Sequence, residues 1–286
     1  MDKAITIVTA FFDIGRGNWT NDKGYSPHLH RTSETYLDYF SNLAKLENDM
    51  IIFTSSQFEE RIEDLRQGKP TTVVIIDLDN KFKFIRKKIS SIQNDEGFIK
   101  KLSKKQIKNP EYWSPNYVLV CNLKTYFISK AIELNLVKTD LVAWIDFGYC
   151  RSINTLNGIN NWQFPFNKNK INFFTIKKGL EVKTINSVFN KMINNDVFII
   201  GGVIVASKNK WLEFIKLVFL CQKLTLKNKI VDDDQGIFVM CYHKKPELMK
   251  LNFLGKNKWF SVFKKFNMYS FWGVCNVIRS KFSTKM

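Results

Sequence analysis

Carboxylates are the residues of this sequence best placed to do chemistry, because several stand directly after apolar runs. Residues 73–76 lead into Asp77-Leu78-Asp79, and residues 141–145 lead into Asp146-Phe147-Gly148-Tyr149. An acid ejected at a strand end offers a hard oxygen to a divalent cation and leaves other positions for phosphate and water. Only the first pair has D-x-D spacing, and its alternative role is to cap the next helix or face solvent. Asp146 follows Val142, Ala143, Trp144 and Ile145 and precedes Gly148, so a buried strand delivers one acid into a tight turn. Satisfaction by turn amides is the alternative there. A third group, Asp232-Asp233-Asp234-Gln235-Gly236, concentrates negative charge in a basic chain. It suits a metal, a general base or sugar hydroxyls, and at least one of its acids is expected only to complement a helix dipole.

The first apolar run ends in Phe12-Asp13-Ile14-Gly15-Arg16-Gly17. Asp13 could accept hydrogen bonds from a base or ribose, Arg16 could pair a phosphate, and the glycines admit close backbone approach. This is neither a dinucleotide fingerprint nor a P-loop, and such turns also occur without a ligand. Gly201 and Gly202 interrupt a very apolar run, which suggests close approach of a ligand or another backbone, or else a bulge. His28 and His30 do not share a helix face, so they argue against a zinc site. His243 is a candidate late metal ligand or a surface imidazole.

These residues need a scaffold that gathers strand ends. Apolar, β-branched runs recur at residues 5–12, 50–54, 73–77, 141–146, 171–176 and 197–206. Without polar alternation they suit strands covered on both faces, which predicts an α/β fold around a largely parallel sheet. Helices are predicted over residues 32–45, with Thr32 or Ser33 as cap, and over 82–91, 119–136, 208–223 and 233–242. Residues 94–115 and 154–170 read as loops. In such sheets ligands gather at the C-terminal strand ends, where helix N-termini favour phosphate.

A chain of 286 residues with 45% apolar composition buries a full core. Its formal charge of +18 attracts nucleic acid, anionic lipid and diphosphates alike. Five widely spaced cysteines suggest neither a disulfide framework nor a zinc site, and so a reducing compartment. No run approaches the roughly 18 to 20 apolar residues that span a bilayer. The expectation is a cytoplasmic protein, soluble or peripheral on the inner membrane face. From residue 244 onward, nine Lys and one Arg face the single acid Glu247, interleaved with Trp259, Phe260, Phe263, Phe266, Tyr269, Phe271, Trp272 and Phe282. Such a segment suits an anionic membrane, nucleic-acid stacking, or simple packing on the core.

Residues 6–16, 117–124 and 144–149, with the Gly201-Gly202 and Asp-Gln-Gly regions, resemble in order the HtrL/YibB-like bacterial proteins associated with lipopolysaccharide or capsule gene clusters. That family looks like a branch of the GT-A nucleotide-diphospho-sugar transferases. The resemblance implies a GT-A-like, Rossmann-like mixed sheet, mainly parallel and flanked by helices, over residues 1–243. A basic aromatic helical segment, 244–286, would pack on it or face a membrane. It also implies a donor site supported by Mn²⁺ or Mg²⁺. Asp146 takes the place of the metal carboxylate, although Gly148 stands where a second Asp is usual. Asp13, Gly15, Arg16 and Lys124 would hold the nucleotide diphosphate, Gly201 and Gly202 would border the acceptor, and Asp233 or Asp234 would lie near the reacting sugar. His243, read from the residues and not from the resemblance, is the candidate second ligand of that metal.

The implied activity is transfer of a hexose-type sugar from a nucleotide diphosphate to a cell-surface glycan or lipid-linked acceptor. A phosphohydrolase or nucleotidyltransferase using Asp77 and Asp79 is the second reading. A polyanion- or membrane-binding module is the third, with nucleic acid the less favoured partner.

Overall fold

The computed structural model describes residues 4–268. Its strands are β1 (Ile5–Phe11), β2 (Met50–Thr54), β3 (Thr71–Ile75), β4 (Leu141–Ile145), β5 (Ile171–Thr175), β6 (Ile199–Ser207) and β7 (Met249–Phe253). They form one sheet in the order β3-β2-β1-β4-β6-β5-β7. The pairs β1–β2, β1–β4, β2–β3 and β5–β7 are parallel, and β6 runs antiparallel between β4 and β5. The predicted class, a mixed and mainly parallel sheet, is the one observed.

Burial follows from the apolar runs. β1, β2, β4 and β5 are buried along their whole length, as strands covered on both faces must be. Alternate residues of β1 serve opposite cores. Ile5, Ile7 and Phe11 pack with Phe40 and Phe263, whereas Val8, Ala10 and Phe12 pack with Phe127 and Phe214.

The helices are α1 (Ser33–Leu43), α2 (Glu59–Leu65), α3 (Leu78–Lys81), α4 (Lys83–Gln93), α5 (Glu96–Ile99), α6 (Pro115–Asn122), α7 (Lys124–Glu133), α8 (Ile185–Ile193), α9 (Lys208–Lys227), α10 (Asp234–Lys244) and α11 (Val262–Lys265). Thr32 caps α1, its side chain accepting from the Thr35 N–H at 3.1 Å. The helix predicted over 119–136 is broken at Leu123 into α6 and α7. At the break Asn122 donates to the Asp232 carbonyl at 2.9 Å, and Lys124 opens the new helix. Residues 94–115 contain α5 as well as loop, and α8 opens on a reciprocal Thr184/Ser187 cap that the sequence reading passed over.

The chain does not leave the sheet at residue 243, because β7 pairs with β5 at the edge. Beyond it, Phe263 and Phe266 pack on Trp162, Phe164 and Phe174, and the Trp162 indole donates to the Phe266 carbonyl at 2.7 Å. Phe263 and Phe266 of the aromatic tail are therefore core. Tyr269, Phe271, Trp272, Phe282 and Cys275 lie outside the described residues. Among the described residues no helix is long and apolar enough to cross a membrane.

Candidate active site

A cavity of about 430 Å³ opens where the C-terminal ends of β1 and β4 meet the start of β6 and the N-terminus of α10. Asp13, Arg16, Lys124, Asp146, Gly201, Gly202, Asp233 and Asp234 all line it, so residues from five separate stretches converge there, whereas Gly15 does not line it.

Its centre is built on Asp146. Trp144, two residues earlier and so on the same strand face, donates its indole N–H to Asp146 Oδ1 at 2.7 Å. The Asp146 N–H donates to the Gly202 carbonyl at 2.9 Å, and its carbonyl closes a turn by accepting from the Tyr149 N–H at 2.8 Å. The side chain remains 41% exposed. A Cβ at position 148 would stand 3.0 Å from the partly buried Tyr36 ring, a tight contact that a larger side chain there would have to displace.

Lys124 is buried and joins the acids. Its Nζ lies 2.8 Å from Asp146 Oδ1 and 2.9 Å from Asp234 Oδ2, and donates to the Gly201 carbonyl at 3.0 Å. Burial pushes its pKa down, but Asp146 and Asp234 outweigh this and hold it above the ordinary lysine value. Gly201 makes the cluster possible, since a Cβ would stand 1.7 Å from Asp234 Oδ2. The close approach inferred at Gly201 is thus made by the protein's own carboxylate, not by a ligand.

Asp233 caps α10, accepting from the Gln235 N–H at 2.9 Å. Burial raises its pKa to about 7, helped by the charge of buried Glu111. Asp234 is raised to about 7, again chiefly by burial, against the opposing pull of Lys124. Glu111 reaches about 7 through burial. Asp232, buried beneath Gly236, is raised further by burial and by Asp233. Carboxylates poised near neutrality can take a proton from a hydroxyl.

The opposite wall comes from the loop after β1. Asp13 is partly self-satisfied, accepting from the Gly15 N–H and the Ser33 hydroxyl, each at 2.8 Å. Arg16 donates to the Leu29 carbonyl at 2.9 and 3.1 Å and to the Tyr36 hydroxyl at 2.7 Å, with Trp19 5.0 Å beneath its guanidinium.

A second cavity of about 400 Å³ lies at the ends of β1 to β3 and shares Phe12, Asp13, Ile14 and Val120 with the first. Asp77 and Asp79 line it, but Asp77 caps α3 through the Asn80 N–H at 3.1 Å, and exposed Asp79 pairs with Arg86. This is the alternative role foreseen for them.

His243 is not brought to the site. It lies nine residues past Asp234, about 13 Å along α10, and its Nδ1 is 2.9 Å from the Val182 carbonyl. The expectation that it shares a metal with Asp146 is therefore corrected. Among the described residues no three His, Cys, Asp or Glu side chains form a metal cage. Asp146 alone still fits a hard cation held mainly by other ligands: no described hydrogen bond uses its Oδ2, and Mg²⁺ often needs only one or two carboxylates beside substrate phosphates.

Sequence reasoning missed Glu111, Arg31, Arg151 and the cavity role of Trp259 and Phe260. Trp259 and Phe260 had been grouped with the basic tail, yet the turn after β7 folds them back over the cavity. The one available signal for Arg151 was its place five residues past Asp146 with no acid beside it.

The sheet and its carboxylate-lysine cavity define a doubly covered, mostly parallel α/β protein with an open cleft at its strand ends. Within that class the chain belongs to the family described as bacterial protein of unknown function (HtrL_YibB), whose model matches residues 3–268. It is 58% identical over 266 residues, 93% of each chain, to Protein HtrL of Escherichia coli (strain K12). Among solved structures it is similar to the glycosyltransferase GlyE of Streptococcus pneumoniae TIGR4, at 11% identity and a TM-score of 0.40. That match covers 88% of this chain and spans only 45% of the other. It is similar also to 4-diphosphocytidyl-2C-methyl-D-erythritol synthase of Anaerococcus prevotii DSM 20548, at 12% identity and a TM-score of 0.35, over 90% of both chains.

Proposed function

We propose that the protein is a GT-A-like glycosyltransferase that moves a hexose-type sugar from a nucleotide diphosphate to a glycan or lipid-linked acceptor. The observation that carries this reading is the junction of Lys124 with Asp146 and Asp234 in a cavity that shares part of its lining with a second one at the ends of β1 to β3. The nucleoside fits the second cavity, the place where parallel α/β sheets hold nucleotides. Asp13 stands at the passage between the two, and the diphosphate then reaches Asp146 and Lys124.

A divalent cation, Mn²⁺ or Mg²⁺, would be held by Asp146 together with the diphosphate oxygens and would offset charge on the departing group. Lys124 supplies a fixed positive charge at the same point. As the bond from the sugar's anomeric carbon to the diphosphate oxygen breaks, the acceptor hydroxyl bonds to that carbon. Its proton passes to Asp233 or Asp234 when the configuration inverts, and when it is retained the same carboxylates position the sugar. Gly201 and Gly202 border the acceptor side.

The test is thermal stabilisation by a panel of nucleotides and nucleotide sugars, with and without Mn²⁺ or Mg²⁺. A metal-assisted shift with one nucleoside diphosphate, lost in Asp146→Ala and kept in Asp77→Ala, supports the reading. Loss of the metal-assisted shift in Asp77→Ala with the shift intact in Asp146→Ala, together with phosphate release in the absence of any acceptor, transfers the chemistry to Asp77 and Asp79. No shift with any nucleotide rejects a nucleotide-sugar enzyme.

A further inference from the structure

The main cavity is charged on both sides, and only one side is self-neutralised. Lys124 answers the carboxylates, but Arg16, Arg31 and Arg151 also line the cavity, and none of them takes part in an ion pair among the described residues. The three are close enough to repel: burial, then the charges of Arg31 and Arg16, hold the Arg151 guanidinium below its usual value. Arg16 is pinned by the Leu29 carbonyl and the Tyr36 hydroxyl. Arg151 lies over the Phe260 ring, 4.7 Å from its centroid. Like charges held together without a counterion are costly unless a ligand brings one, and guanidinium forks match phosphate or carboxylate oxygens.

None of these arginines lines the second cavity, where the nucleoside fits. Arg151 comes instead from the turn after Asp146 and stacks on Phe260 from the turn after β7, at the opposite end of the sheet from β3.

We infer that Arg16, Arg31 and Arg151 form an anion subsite for the acceptor, which therefore carries a phosphate or carboxylate group. This rests on the transferase reading for the word acceptor, but the anion subsite itself does not require transfer to occur.

The test is isothermal titration of the full chain with a hexose monophosphate and with the neutral hexose, in the presence of saturating uridine diphosphate. The monophosphate should bind more tightly than the neutral sugar, and Arg31→Gln and Arg151→Gln, both at solvent-facing positions, should each weaken it by about tenfold. Affinity for uridine diphosphate should stay unchanged in both variants. Equal binding of the two sugars, unaltered monophosphate affinity in the variants, or weakened uridine diphosphate binding would each overturn the proposal. If uridine diphosphate and every other nucleotide fail to bind while the arginine variants still lose the monophosphate, the transferase reading falls and the anion subsite stands.

Discussion

Gly201→Ala separates propensity from site geometry, because the two predict opposite signs. Gly201 lies within β6 and outside the left-handed region. On propensity alone alanine should stabilise the strand by about 0.5–1 kcal/mol. The added methyl, however, would stand 1.7 Å from Asp234 Oδ2, 2.7 Å from its Cγ and 3.0 Å from Lys124 Nζ. The Asp234 side chain is only 4% exposed, so its carboxylate has nowhere wet to go and must leave Lys124. Breaking a buried ion pair costs about 3–5 kcal/mol, and the net loss is then about 2–4 kcal/mol. At roughly 2 cal/mol/K of unfolding entropy per residue over 286 residues, this lowers the melting temperature by about 3–7 °C. Gly202→Ala is the control, since its Cβ meets only the Tyr149 ring at 3.1 Å and Asp146 Oδ2 at 3.7 Å. Urea midpoints and melting temperatures of both variants give the answer. A Gly201→Ala protein as stable as its parent would refute the contact between Asp234 and Lys124 on which the site is built.

Two further substitutions probe the same charges. Lys124→Met leaves Asp146 and Asp234 facing each other without a cation. Its stability loss should be about 3–5 kcal/mol at pH 8 and should shrink at pH 5 as Asp234, raised to about 7, takes up a proton, whereas equal losses at both pH values would count against the ion pair. Glu111 has a pKa of about 7 in the folded state, raised from the ordinary 4.5 by burial. Between those values the native state binds a proton that the unfolded chain has released, so stability falls as pH rises from about 4.5 to 7. Glu111→Gln should reduce that slope and stabilise the protein at pH 8 by about 2–3 kcal/mol. Asp233 and Asp234, also raised to about 7, keep part of the pH dependence in place; urea unfolding at pH 5 and 8 with a wholly unchanged difference would show that Glu111 is not among the proton-binding groups.

Complete burial made a strand's bounds legible, whereas partly buried β3 was read two residues late. Residues 50–54 are Met-Ile-Ile-Phe-Thr, all buried, and β2 has those bounds. β7 was hidden because Lys250 and Asn252 alternate with its apolar residues at a sheet edge, where one face stays partly open. Asp146 was legible through local pattern, a buried strand ejecting an acid. Its partners were not, since the Lys124–Asp234 ion pair joins the start of α7 to the start of α10 and no periodicity records such a contact. Glu111 sat in a stretch read as a charged loop. Its burial comes from packing around Pro110 and Tyr112, and from Asn195, which donates to it across the fold.

The glycine pair shows what sequence logic captures and where it stops. Glycine in an apolar strand signals that something must approach, and that inference was sound at Gly201. The identity of the neighbour is a tertiary fact: the Asp234 side chain arrives from α10, neither a ligand nor another backbone, and the pairing of β5 with β6 also shifts register across the glycine pair, which is the bulge the sequence allowed. The same cause explains how a chain of charge +18 can keep buried acids. Its surplus positive charge lowers the cost of ionising them, and one lysine is buried among them. The surplus also extends to the unpaired arginines across the cavity. On the proposed reading, a ligand with an anionic end and a hydroxyl to activate would meet both walls at once, and complementary charge would favour it over a neutral one.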